Sequence, residues 1–409
     1  MATTRITPDM IHGEVAPGFE EVQTAFHENF IKRKELGAAC AVYYQGQKVV
    51  DLWGGIRDHR VGLPWEEDTM ILVFSTTKGM ASMCMALAHS RGMLDFEKPV
   101  ADYWPEFAEN GKENITVRQL ISHKAGLCAI DEPLDFEALA DPDKVAAALA
   151  KQAPLWEPGQ AHGYHGLTLG WYEGELIRRV DSQHRTIGQF FQDEIAKPLE
   201  LEFYIGLPKE VPSSRIAYIK GYPRWKMLFN LDKMPRNFVK GMFNPKSITA
   251  RTFSNPKVLG IIPNYNRREM QEIELPAANG IGQVRSIARA YGAFAMGGKE
   301  LGITDATMKE LIEPASTPPD GLMDLVLRMP TTFSLGYCKP SSAMQFGSSN
   351  KAFGTPGAGG SFGFADPGEG IGFAYAMNRS GFYLIDDPRE KSLRDAVYAC
   401  VKQLKNQTV

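Results

Sequence analysis

Histidine runs out early in this chain of 409 residues: all eight lie at or before His184. A nucleophile in the second half therefore has no imidazole downstream of it, which excludes the Ser…Asp/Glu…His order there. Cysteine is sparse too. Cys40, Cys84, Cys128, Cys338 and Cys400 are odd in number and scattered, with no C-x-x-C pair and no Cys/His cluster. A disulfide framework and a zinc site are both excluded as readings. Excess positive charge is missing, since the formal net charge is −3, so no nucleic-acid partner is expected. No window approaches the apolar length of a membrane span, so stable membrane insertion is not expected either. The opening MATTRITPDMIHGEV lacks the basic and apolar regions of a secretory signal, and a cytoplasmic location is the expectation.

What is present is an ordinary globular composition, 44% hydrophobic and 23% charged, long enough for two or three compact units. Residues 17–35 suit an amphipathic helix, with Phe19, Val22, Phe26 and Phe30 at helical spacing. A hairpin follows, AACAVYYQ and KVVDLWGG around Gly46. From about 72 to 330 the pattern is mostly helical. Strands return in TFSLGYCKP and GIGFAYAMNR, and a helix closes the chain near 388–405. The fold class expected is α/β (α+β): an antiparallel sheet flanked by helices, with an inserted all-α domain and a site in the cleft between them. The sheet domain is assigned to 1–70 and 331–409, and the helical domain to 71–330, with a basic and aromatic insertion at about 218–265. Between 218 and 251, eight Lys/Arg face one acid, Asp232, and Tyr222, Trp225, Phe229, Phe238 and Phe243 are interleaved. Such a stretch suits a membrane surface or a single strand of nucleic acid, or a surface insertion whose aromatics fold back over the cleft.

Two serines compete as nucleophile. Gly359–Gly363 spells G-x-S-x-G around Ser361, the pattern of a strand-to-helix nucleophile elbow. The residues after it, FGFADPGEGIGFAYAMN, read as a turn and a strand, and no histidine follows, so Ser361 is a decoy. A serine can instead be deprotonated by a lysine one helical turn on, if burial keeps that amine neutral. S-x-x-K occurs at Ser75–Lys78, Ser254–Lys257 and Ser348–Lys351. Pro256 disfavours a helix through the second, and the third lies in a Gly/Ser-rich loop. Only Ser75 opens a convincing helix, with Met80, Met83, Cys84 and Leu87 as its apolar stripe and Gly92 as its stop. At that position Ser75 either caps the helix or faces Lys78 as a nucleophile, with the helix N–H groups favouring a developing oxyanion.

Two further stretches favour the second reading. WEPGQAHGYHGLTLGW presents Tyr164 at a loop tip before a helical run at about 167–180. FGTPGAGGSFGFADP at 353–367 is a glycine-rich strand edge that lets a ligand approach. With STTK, these resemble the three signature elements of the serine β-lactamase and penicillin-binding-protein superfamily. ITVRQLISHKAGL, YHGLTLGW and GAGGSFGFADP make the chain more similar to the β-lactamase-like (family VIII) carboxylesterases, from about 15 to 400.

The resemblance implies that Ser75 is the acylated nucleophile and that Lys78 and Tyr164 share the proton transfer. It implies an oxyanion hole of the Ser75 N–H and one from the 355–359 strand, Ala358 first, with Gly357 and Gly359 beside it. No cofactor and no metal are implied, and the partner is a small-molecule ester. Two departures stand out. Gly166 replaces the asparagine expected two residues after the tyrosine, and Thr355-Pro356-Gly357 replaces K-T-G. Both remove groups suited to a β-lactam, so ester hydrolysis is expected instead, and the aromatic-rich 218–251 segment, as a partly covered acyl pocket, implies short-chain or aryl esters. Trp225, Phe229, Gly166 and Thr355 are expected to line the pocket, and His162 and His165 to sit behind the tyrosine. An acyltransferase, an amidase, weak β-lactam turnover and a non-catalytic relative are the competing readings.

Overall fold

A computed structural model describes residues 7–222, 229–314 and 316–407. Trp225 lies outside them. The 17–35 stretch forms helix α1 (Glu20–Lys32), whose buried face is Val22, Phe26 and Phe30, as the spacing predicts. The hairpin that follows is β2 (Gly37–Tyr44) and β3 (Gln47–Asp58), turned at Gln45 and Gly46 with left-handed φ of +50° and +78°. An earlier strand, β1 (Ile11–Val15), pairs with β3.

The C-terminal strands are β4 (Phe333–Ser334), β5 (Tyr337–Cys338), β6 (Phe353–Pro356), β7 (Phe362–Asp366) and β8 (Ile371–Met377). They join the N-terminal strands in one antiparallel sheet of order β1-β3-β2-β8-β7-β6-β5-β4, with Leu63–Pro64 paired to β3 off that path. The two chain ends meet where Phe373 pairs with Val42 and Tyr375 with Cys40. The glycine-rich 353–356 segment is therefore inside the sheet, not at its edge. Its pairing to β5 is limited to Gly354–Cys338, which leaves the end of β6 open towards the cleft.

Side-chain size sets which layer covers which face. Along β8, Ile371, Phe373, Tyr375 and Met377 point into one core with α1 and the C-terminal helix, Pro388–Gln407. Gly372, Ala374 and Ala376 face the other way. There Val284–Ala295 packs so closely that a Cβ on Gly372 would lie 2.1 Å from the Gly292 nitrogen. Large residues on one face and small on the other let a helix lie directly on the backbone of the sheet. Val284–Ala295, drawn from the central segment, thus belongs to the sheet layers.

The helix predicted from Ser75 is α2 (Thr76–Ser90). Residues 76–88 are buried on every side, so α2 is a central helix whose few polar groups, Thr76, Thr77, Lys78 and Ser82, are buried with it. Gly92 ends it at φ +69°. The run before 180 is α3 (Thr168–Val180), which packs across α2.

Candidate active site

Ser75 stands at the start of α2, following Phe74, which is held at a left-handed φ of +46°. A bulky residue there costs about 1–3 kcal/mol and persists only where packing holds it; the Phe74 ring lies edge-on to Tyr265 at 5.2 Å. The Ser75 side chain makes no capping hydrogen bond to the helix, so the capping reading fails. Instead its Oγ lies 3.1 Å from Lys78 Nζ.

Lys78 is 0% exposed. Its Nζ donates to the carbonyl oxygens of Gly166 at 2.6 Å and Ala277 at 2.9 Å. Burial lowers its pKa to about 7, against a smaller opposing pull from Glu173. Glu173, fully buried on α3, accepts from Ser82 at 2.8 Å, and burial raises its own pKa. Gly166 therefore contributes its carbonyl. A Cβ there would lie 2.6 Å from the Phe253 ring, so an asparagine has no room and the departure is explained by packing.

Tyr164 hangs over this pair. Its ring centroid is 4.9 Å from Lys78 Nζ, and its hydroxyl is electrostatically coupled to the Ser75 side chain. Burial pushes the phenol well above its ordinary pKa, so it is protonated at neutral pH. The loop carrying it is tied down by Asp324, whose carboxylate accepts the Tyr164 N–H at 3.1 Å, those of Val326 and Leu327 at 2.7 Å, and the Thr331 hydroxyl at 3.2 Å. Burial raises Asp324 to about 6. Sequence reasoning missed this residue, and its one signal was a lone acid inside the apolar run LMDLVL. His123, also missed, accepts the His165 N–H at 3.0 Å and packs 5.3 Å from the Tyr164 ring.

The flanking histidines are structural. His165 donates from Nδ1 to Gly163 O at 2.7 Å and accepts the Leu127 N–H at Nε2. His162 bonds Thr331. Burial lowers both to about 4, so both are neutral at pH 7.

On the opposite side, the turn after β6 faces Ser75. The Gly357 N–H donates to Ser361 O at 2.7 Å, so Gly357 lines the cavity but has no donor to offer. Among the described residues, the N–H groups of Ser75, Ala358 and Gly359 carry no hydrogen bond. Arg389 holds this turn: it donates to Gly359 O at 2.9 Å and to Asp387 at 2.8 Å, and pairs with Glu35 at 3.2 Å.

Ser361 itself is 2% exposed. It donates to Val73 O at 2.9 Å and meets the Thr76 hydroxyl at 3.1 Å, with strand β7 directly after it. It braces the start of α2. Ser254 ends the short helix Ile248–Ser254, and Ser348 lies in a turn, so neither shares a helical face with its lysine.

Ser75 and Tyr164 open into a cavity of about 800 Å³. Its walls are largely apolar, with Tyr222, Phe253, Ile262, Phe333 and Phe382 prominent. Three pocket expectations are corrected here. Gly166 is buried and outside the lining, its carbonyl turned to Lys78. Phe229 is 77% exposed and outside the lining, which the segment supplies from both sides of it, Tyr218 and Tyr222 before and Met234, Phe253 and Ile262 after. Thr355 is buried behind the wall, 3.1 Å from where a Gly79 Cβ would sit. Among the described residues no His/Cys/Asp/Glu cluster suits a metal ion, and no helix is long and apolar enough to cross a membrane.

A serine and a buried lysine one turn apart, beneath an antiparallel sheet closed by both chain ends, define the beta-lactamase class of serine enzymes. The beta-lactamase family model matches residues 19–397, and the chain belongs to that family. It is 34% identical to the Esterase/beta-lactamase LipL of Mycobacterium tuberculosis over 90% of this chain and 83% of the relative. The crystal structure of a family VIII carboxylesterase superposes with a TM-score of 0.82 at 36% identity, over 95% of this chain and 99% of the other. EstA from Arthrobacter nitroguajacolicus Rue61a superposes with a TM-score of 0.82 at 32% identity, over 96% and 99%. The chain thus stands among the carboxylesterase-type enzymes of its family.

Proposed function

We propose that the chain hydrolyses small carboxylic esters, short-chain or aryl, through an acyl-Ser75 intermediate, with Lys78 as the base. One observation carries this reading. A neutral amine has two N–H bonds and one lone pair. Here Gly166 O and Ala277 O take the two N–H bonds, and the third direction from Nζ is Ser75 Oγ at 3.1 Å. A pKa near 7 leaves a large fraction of the amine neutral at working pH, where a general base is most effective. The protonated phenol of Tyr164 suits a donor rather than a base.

In the proposed cycle Lys78 takes the Ser75 proton as Oγ bonds to the ester carbonyl carbon. The N–H groups of Ser75 and Ala358 stabilise the oxyanion. The carbonyl re-forms, the C–O bond to the alcohol breaks, and the leaving alkoxide takes a proton from Lys78 through the Tyr164 hydroxyl. Water, deprotonated by Lys78, then attacks the acyl carbon, and Ser75 leaves with a proton as the acid is released. The apolar cavity and the absence of an ammonium at position 355 or an amide at 166 favour esters over β-lactams.

Turnover of p-nitrophenyl butyrate by three proteins tests the assignment. Ser75→Ala is expected to lose about 10⁴-fold or more in kcat, while Ser361→Ala retains turnover and loses only the stability of a buried hydroxyl pair, about 1–2 kcal/mol. An inactive Ser361→Ala beside an active Ser75→Ala would sink the reading.

Asp324 acts by positioning Tyr164. Asp324→Asn replaces one acceptor oxygen with an amide that donates, and is expected to lower kcat about tenfold, since a hydrogen bond to a charged group is worth roughly 1.5–3 kcal/mol. KM for the small ester should stay within about twofold, because the uniform binding surface is untouched. A fall in KM and kcat in parallel with lost secondary structure would instead mark a folding defect.

A further inference from the structure

The wall of the cavity formed by residues 229–263 has an outer face that ester hydrolysis does not use. This stretch holds Lys233, Arg236, Lys240, Lys246, Arg251 and Lys257 against one acid, Asp232, in a chain whose net charge is −3. Arg251 pairs with Asp131 at 2.6 Å and Lys233 with the Asn230 side chain at 2.6 Å. Among the described residues, Arg236, Lys240, Lys246 and Lys257 pair with no acid. Helix α4 (Arg236–Phe243) turns Phe238 and Gly241 inward, Gly241 against Thr249. Its far end leaves Met242 42% and Phe243 69% exposed. Ile261 is 41% exposed and also lines the cavity, as does Met234. The same stretch of chain therefore carries these exposed cations and apolar side chains and supplies part of the cavity lining.

We propose that this face docks on an anionic phospholipid surface, with Met242 and Phe243 entering the headgroup boundary and the four unpaired cations facing lipid phosphates. Exposed apolar side chains among unpaired cations match an interfacial layer that is itself anionic and apolar. A duplex nucleic acid, its bases already stacked, would satisfy the cations and leave the methionine and phenylalanine without a partner. Attachment is peripheral, since no described helix could cross the bilayer. The cavity mouth then opens at the lipid surface, where apolar esters concentrate.

Flotation of the full chain with vesicles tests this, using phosphatidylcholine alone and phosphatidylcholine with phosphatidylglycerol. The wild type is expected to float with the anionic vesicles, to remain behind with the neutral ones, and to release as salt shortens the screening length. Lys240→Glu/Lys246→Glu should weaken binding at least about tenfold, and Met242→Ser/Phe243→Ser should weaken it at unchanged salt dependence. Turnover of soluble p-nitrophenyl butyrate by these variants should be unchanged, which also certifies their folding; the milder Lys240→Gln/Lys246→Gln pair serves if the reversal misfolds. No flotation with anionic vesicles, equal flotation with neutral ones, or binding untouched by charge neutralisation overturns the proposal. Duplex DNA binding without vesicle binding overturns it in favour of a different polyanion. Ser75→Ala protein should float like the wild type, so failure of the esterase reading would leave this test standing.

Discussion

Lys78→Met is expected to abolish ester hydrolysis and at the same time raise thermal stability. The two effects share one cause. Lys78 is fully buried, and burial brings its pKa down to about 7. The unfolded chain therefore binds a proton at Lys78 across a pH range where the native protein does not, and the mismatch favours unfolding. Between pH 7 and 8 this costs the native state about 3–4 kcal/mol. The sign follows from the depressed native pKa: the penalty is fully present below pH 7 and fades as pH rises towards the ordinary lysine value. Methionine fills the same volume without the charge, so a gain of a few kcal/mol is expected, of the kind seen where activity and stability trade off. With Lys78 as the proposed base, its removal should lower kcat by about 10³-fold or more. The wild-type profile of kcat/KM against pH should rise through about pH 7 as Lys78 loses its proton. A profile flat between pH 6 and 8, or a Lys78→Met protein that melts earlier than the wild type, would contradict the assignment.

Arg389→Met is the substitution expected to damage the fold most. Arg389 is 5% exposed, and its guanidinium serves Asp387, Glu35 and the carbonyls of Gly359 and Arg379 together. Glu35 is also bonded by the Tyr375 hydroxyl, and burial raises its pKa while Arg389 draws it back. Without the cation, two carboxylates stay in the interior unpaired, at a cost of about 3–5 kcal/mol. The Gly359 carbonyl is released as well, so the turn presenting Ala358 loosens and kcat should fall with stability. Urea unfolding measures the first effect and butyrate turnover the second. Glu35→Gln should recover part of the stability in the Arg389→Met background, because one buried charge is then removed, but not the activity. A second variant restoring activity without the Gly359 contact would show that the turn carrying Ala358 needs no such tether.

The local signals in the chain were strong where periodicity and turn chemistry coincide. Phe19, Val22, Phe26 and Phe30 spell α1, and Gln45-Gly46 between two β-branched runs spells the first hairpin. Ser75 and Lys78 are legible together because a helix makes residues three apart neighbours whatever surrounds it. Tyr164 was found by its loop tip and by resemblance. Residues that act through distant backbone contacts were not legible. Asp324 reaches Tyr164 across 160 positions, and Arg389 reaches Gly359 across 30. Neither contact has a spacing that a one-dimensional pattern could encode.

The pocket wall shows the same division. Aromatic content singles out 218–251, whereas the wall takes Tyr218 and Tyr222 from that range and Phe253 from beyond it, while Phe229 faces outward. Composition says that apolar side chains are near, and only the packing of the segment says which of them turn inward. By itself, the sequence determined the sheet built from both termini and the serine–lysine helix start, and it set the expectation that Ser361 is no nucleophile. The tertiary structure decided the protonation of Lys78, since burial in the fold strips its water. It also decided the use of the Gly166 and Ala277 carbonyls as its acceptors and the choice of Ala358 over Gly357 as a free donor. Those depend on low-dielectric surroundings and on which backbone groups are already bonded, and neither exists until the chain has folded.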